Sequence, residues 1–98
     1  MSELMNTHPG EVLNEMFLKP MNITAYRLAK SIGVQQTQIS QIIKGNTSVT
    51  ANMAARLAKY FATSPQLWLN LQNLHDIRRV EVEKKELLDS IVPMQLAS

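Results

Sequence analysis

Apolar residues recur at helical spacing through most of this chain, and polar runs with cap residues divide them into segments. From Ala25 to Gly45 it reads AYRLAKSIGVQQTQISQIIKG. Leu28 and Ile32 share one face of a first helical phrase, and Ile39 and Ile42 follow on a second, with Val34 and Ile43 beside them. Ala29 is small enough to let the second helix pass close to the first. Gly33 permits the positive φ that a tight interhelical turn needs. Two helices joined in this way make a helix-turn-helix.

The flanking segments repeat the helical period. Thr7-His8-Pro9-Gly10-Glu11 reads as a helix start, with a cap residue and a first-turn Pro. Val12, Leu13, Met16 and Phe17 form its apolar face, and Pro20 is expected to stop it. Thr24 caps the second helix, and the third runs from about Gln35 to Lys44, closed by Gly45-Asn46. Thr50 caps a fourth helix, whose Met53, Ala54, Leu57, Ala58 and Phe61 face inward. Ser64-Pro65 starts a fifth, carrying Leu67, Trp68, Leu71, Leu74 and Ile77. Leu69 falls off that stripe, and Leu87, Leu88, Ile91 and Val92 form a late apolar patch before Pro93. These five are the candidate dimerisation residues. The pattern predicts an all-α, compact five-helix domain over 7–78, a flexible N-terminus over 1–6 and a C-terminal extension over 79–98.

The third helix keeps a second face. Gln36, Thr37, Ser40, Gln41 and Lys44 project in one arc opposite the isoleucines, and none of them is acidic. Gln pairs bidentately with adenine, Ser and Thr serve several base edges, and Lys suits guanine or phosphate. A solvated face of an ordinary helical hairpin would look similar. The small-residue, Gly and Ile spacing upstream favours a helix that lies in the DNA major groove. Thr24, Arg27, Lys30, Asn46 and Thr47 flank it as candidates for phosphate contact.

Charge distribution sharpens this picture. The net charge is only +2, but no Asp or Glu occurs from Met16 to His75, where Lys19, Arg27, Lys30, Lys44, Arg56 and Lys59 all fall. The acids sit at Glu3, Glu11 and Glu15 on one side and from Asp76 to Asp89 on the other. A basic middle suits phosphate, while the acidic ends either face a different partner or keep the termini solvated.

With no cysteine, the chain has no disulfide or thiolate metal site, and this fits a reducing, cytoplasmic setting. No run is apolar enough to span a bilayer, and MSELMNTHPG lacks a signal-peptide core. Catalysis would need converging carboxylates, a His cluster or an activated nucleophile, and His8 and His75 are each expected to stand alone. No enzyme activity, cofactor or metal is expected. An interaction module that had lost DNA binding predicts acids on the third helix, and there are none.

The reading half resembles the lambda-repressor-like helix-turn-helix class, often called the XRE family. More narrowly, HPGEVLNEMF, ITAYRLAKSIGV and TANMAARLAKYFATSPQLWLNLQNLHDI resemble the HigA-type (VapI-like) antitoxins of bacterial addiction modules, over roughly Thr7 to Ile77. The phrase SPQLWLNLQ is the most distinctive part. The resemblance implies a small all-α homodimer that binds double-stranded DNA at a palindromic operator and represses its own operon. It also implies a RelE-like, mRNA-cleaving toxin as partner. Carried over by position, Gln36, Thr37, Ser40, Gln41 and Lys44 are the groove-facing residues. One departure is Ala25, where the wider class often has Gln. A stand-alone repressor without a toxin is the alternative.

Overall fold

The computed structural model describes residues 7–95, and among them all regular structure is helical. The flexible segment expected over 1–6 lies outside the described residues. Helix α1 begins at a histidine: His8 Nδ1 accepts the Gly10 N–H at 2.9 Å, with Pro9 at the first helical position. The helix is α over Pro9–Val12, widens to a π-helix over Leu13–Leu18, and closes as α over Lys19–Met21. In the wide part the Lys19 N–H bonds the Asn14 carbonyl, five residues back. Pro20 therefore does not stop α1. Its missing N–H and bulky ring conflict with a regular α-turn, and the wider turn before it carries the helix past that conflict. Asn22, left-handed at φ 56°, ends it instead.

Helices α2 (Ala25–Ile32) and α3 (Gln36–Ile43) form the expected hairpin. The Thr24 hydroxyl accepts the Arg27 N–H at 3.0 Å, and Gly33 adopts φ 75° with its N–H on the Ala29 carbonyl. Arg56 reaches over from α4 (Ala51–Phe61) and donates to the Ile32 carbonyl, closing the end of α2. Thr50 caps α4 and Ser64 caps α5 (Pro65–Glu83), each hydroxyl taking a backbone N–H three residues on. A short α6 (Lys85–Ser90) follows. The described residues thus hold six helices, the expected five and one made by the tail.

The core gathers where α1, α2, α3, α4 and the start of α5 meet. Leu13, Leu28, Ile39, Leu57 and Trp68 are each fully buried there. Each such side chain contributes about 1.5–3 kcal/mol of burial. Phe17 lies 4.8 Å from Phe61 and 5.2 Å from Trp68 between ring centroids, and the Trp68 indole N–H donates to the Thr63 hydroxyl at 2.9 Å. Met16, expected inward, is 66% exposed, because the π-helical turn changes the phase of α1. Leu69, expected as surplus, is half-buried and packs against the core. Conversely, Leu67, Leu74 and Ile77 of the expected core stripe lie at the surface. The cause is length: α5 runs unbroken through positions 78 and 79 and outreaches the body, giving a molecule 55 Å long and about 25 Å across.

Candidate nucleic-acid interface

Helix α3 turns Ile39 and Ile42 into the core and so presents its opposite side outward. Gln36, Thr37 and Lys44 are exposed, while Ser40 and Gln41 are half-buried. Gln38, which the polar-face reading passes over, is also exposed, and its Oε1 accepts the Gln35 N–H at 3.1 Å. This bond supports the first turn of α3, where no acid is present to do so.

The candidate residues divide into two groups along α3. At its start, a groove is lined by Tyr26, Ala29, Lys30, Val34 and Gln36. Lys30 Nζ lies 3.3 Å from the Tyr26 hydroxyl and 5.5 Å from the Tyr26 ring centroid. The ring steadies the ammonium beside Gln36. Thr24 and Arg27 are exposed at the N-terminal end of α2.

On the other side, Thr37, Gln38 and Gln41 face Thr47, Ser48 and Thr50 across a groove floored by Ile42 and Met53. Asn46 Nδ2 donates to Gln41 Oε1 at 2.8 Å, so one candidate base reader is already held by one candidate phosphate contact. That bond leaves the Gln41 amide NH₂ to present outward as a donor. The structure thus brings Lys30 to Gln36, and Asn46 and Thr47 to Gln41. Leu87, Leu88, Ile91 and Val92 lie far along the tail and are exposed.

Behind the second groove sits a polar cluster that the sequence conceals. His8 and His75, expected to stand alone, instead meet edge to face with centroids 5.0 Å apart, because α5 packs against the start of α1. Burial, with the proximity of His75, holds the His8 pKa below the ordinary 6.5, against a hydrogen bond to the Thr47 backbone and the charges of Asp76 and Glu11. A neutral imidazole can then accept from Gly10 at Nδ1. Gln72, also buried, accepts the Val49 N–H at 2.7 Å. Nothing in LNLQNLH marks that glutamine as interior; only the packing of α5 does. Among the described residues, no group of three or more His, Cys, Asp or Glu is placed to hold a metal, and no helix is long and apolar enough to cross a membrane.

A family model described as helix-turn-helix matches residues 15–68. The chain is 38% identical over 93 residues to virulence-associated protein I of Dichelobacter nodosus, covering 95% of this chain and 85% of that protein. Its fold matches the Pseudomonas aeruginosa antitoxin HigA solved with the higBA promoter, with a TM-score of 0.87 and 32% identity over 92% of this chain and 99% of the other. The antitoxin GraA solved in complex with its operator gives a TM-score of 0.85 at 36% identity, over 92% of each chain.

Proposed function

The chain belongs to the helix-turn-helix family, beside the HigA-type antitoxins, and from that membership we propose that it is a sequence-specific, operator-binding antitoxin. In this reading it represses its own operon from the cytoplasm, as a homodimer on a palindromic site, and neutralises a RelE-like mRNA-cleaving toxin.

The observation that carries the DNA-binding part is the outward face of α3. It offers only hydrogen-bonding side chains and Lys44, in a chain free of acids from Met16 to His75. Lys30 and Arg27 beside it supply charge for phosphate, and the polar groups of α3 supply contacts for base edges. Likeness to two antitoxins solved with their own promoter or operator supports the same assignment.

The toxin part rests on kinship and on charge segregation. Glu81, Glu83 and Glu86 are exposed on the end of α5 and the start of α6, away from α3, and Glu11 is exposed on α1. Carboxylates there would oppose the basic surface that an RNA-cleaving partner needs.

The test has two arms. Titration with the duplex from just upstream of its own reading frame, against a scrambled duplex, should give at least about a thousandfold preference. Co-expression with the adjacent small reading frame should relieve that product's toxicity and yield a stable complex. Operator preference without rescue would leave a stand-alone repressor. No preference would end the DNA-binding reading.

A further inference from the structure

Gln72 and His8 are the two polar residues that are buried among those described. Gln72 stands inside α5 with both ends of its amide engaged. Its Nε2 donates to Asp76 Oδ1 at 3.0 Å, and its Oε1 accepts the Val49 N–H at 2.7 Å. The carboxylate can only accept, so it takes the NH₂ end and fixes the amide's orientation. Arg79, 3.7 Å from the same Asp76 oxygen, holds that carboxylate from the next turn.

What this amide grips is the chain between α3 and α4. Val49 is buried, and its neighbours Ser48 and Thr50 both line the groove that Thr37 and Gln41 border. Two residues earlier, the Thr47 backbone is bonded by His8. The loop is therefore held from behind at two points, while its side chains face the reader helix. Removing the acceptor would leave the buried Val49 N–H unpaired. The loop would then move outward to hydrate it, carrying Thr47 and Ser48 away from Thr37 and Gln41.

We propose that Gln72 is a positioning residue for operator reading, setting from the interior of α5 the loop that walls the groove beside α3. This rests on the reading of α3 as the DNA-facing helix. A residue that merely stabilised the core would lower the melting temperature and leave the affinity of the folded protein unchanged.

The experiment compares the full chain with Gln72→Leu, and with Gln72→Glu alone and combined with Asp76→Asn. In the double variant a carboxylate at position 72 still accepts from Val49 and an amide at 76 donates back, so both contacts return and only that between 72 and 76 has its polarity reversed. Leu57→Val serves as a control that thins the core but takes no part in the hydrogen bonds Gln72 makes to Val49 and Asp76. Each is titrated with operator duplex at a temperature where its unfolding curve shows it fully folded. Gln72→Leu should bind operator about tenfold or more weakly, matching one lost buried hydrogen bond. Gln72→Glu should also be weak, because two carboxylates then face each other, and Asp76→Asn should restore it. Leu57→Val should bind as the unaltered chain does. Operator affinity of folded Gln72→Leu within twofold of the unaltered chain overturns the proposal. Should Gln72→Leu fail to fold, the proposal stands if the double variant outbinds Gln72→Glu and falls if the two are equal. An unaltered chain with no operator preference overturns the DNA-binding reading and this proposal together.

Discussion

Gly10 lies so close to α3 that a methyl group on its Cα would sit 1.8 Å from the Ile42 carbonyl oxygen. Two helix backbones touch there without side chains between them, and this contact fixes α1 against the end of α3. The expected effect of Gly10→Ala therefore reverses the usual sign. In an exposed helix the change would stabilise by about 1 kcal/mol. Here α1 must back away from α3, and a loss of about 2–3 kcal/mol is expected. Urea unfolding decides it, since a neutral or stabilised variant would mean that α1 shifts off α3 without cost.

On α3 the expected effects separate by chemistry. Gln36→Ala should lose about 1–3 kcal/mol on the preferred operator and relax base preference at one position. Lys44→Ala should weaken binding to all duplexes and flatten the dependence on salt. Gln41→Ala and Asn46→Ala should be non-additive in operator affinity, by about 0.5–1.5 kcal/mol, because the 2.8 Å bond joins them. Affinities unchanged in the Gln36 and Lys44 variants would remove α3 from the groove.

Much of this was legible in the sequence, for local reasons. Thr24, Thr50 and Ser64 announce helix starts because their hydroxyls bond amides within the next turn, and Gly33 announces the turn because a positive φ suits it. The grouping of α3 side chains follows from helical period alone. What stayed hidden depends on contacts distant in sequence. Gln72 meets Val49 across 23 positions, and His75 meets His8, so neither pairing has a local signal. Pro20 misled for the opposite reason: its usual local effect was absorbed by a π-helical stretch that no periodicity reveals. Leu69 and Ile77 exchanged their expected roles because burial depends on where α5 leaves the body.

The His8 site gives stability a pH dependence of known sign. Its pKa is lowered in the folded chain, first by burial and then by His75, so the unfolded chain binds the proton more readily. Stability from this group is complete above the ordinary value of 6.5 and is lost as pH falls below it, through the lowered folded value. Asp76 and Glu11, which favour the charged form, narrow that window without reversing it. Asn is a good cap and does not titrate, so His8→Asn should keep α1 while flattening the curve between pH 7.5 and 5. Denaturant midpoints across that range are the measurement. An unchanged slope in the variant would assign the pH dependence to other groups.

The far half of α5 carries the expectation of a dimer. Leu74, Ile77 and Val80 are exposed along it, and Leu87, Leu88, Ile91 and Val92 continue the apolar surface through α6 and beyond. Ile77 and Ile91 are 54% and 61% exposed in the single chain. A charge at either position should therefore leave the fold of one chain nearly untouched. The same charge buried between two chains would be costly, and this contrast makes the test clean. Ile77→Glu and Ile91→Glu should each raise the dimer dissociation constant more than about tenfold, at an unchanged unfolding midpoint of the monomer. Operator affinity should fall with dimerisation, since two reader helices about 34–36 Å apart share one palindrome and a lone helix reads only a few base pairs. Sedimentation equilibrium over a dilution series, run beside operator titration, measures both. If the unaltered chain is monomeric at concentrations where it saturates the operator, this surface serves another partner. If it dimerises and neither substitution weakens it, the two copies meet elsewhere than along α5 and the tail.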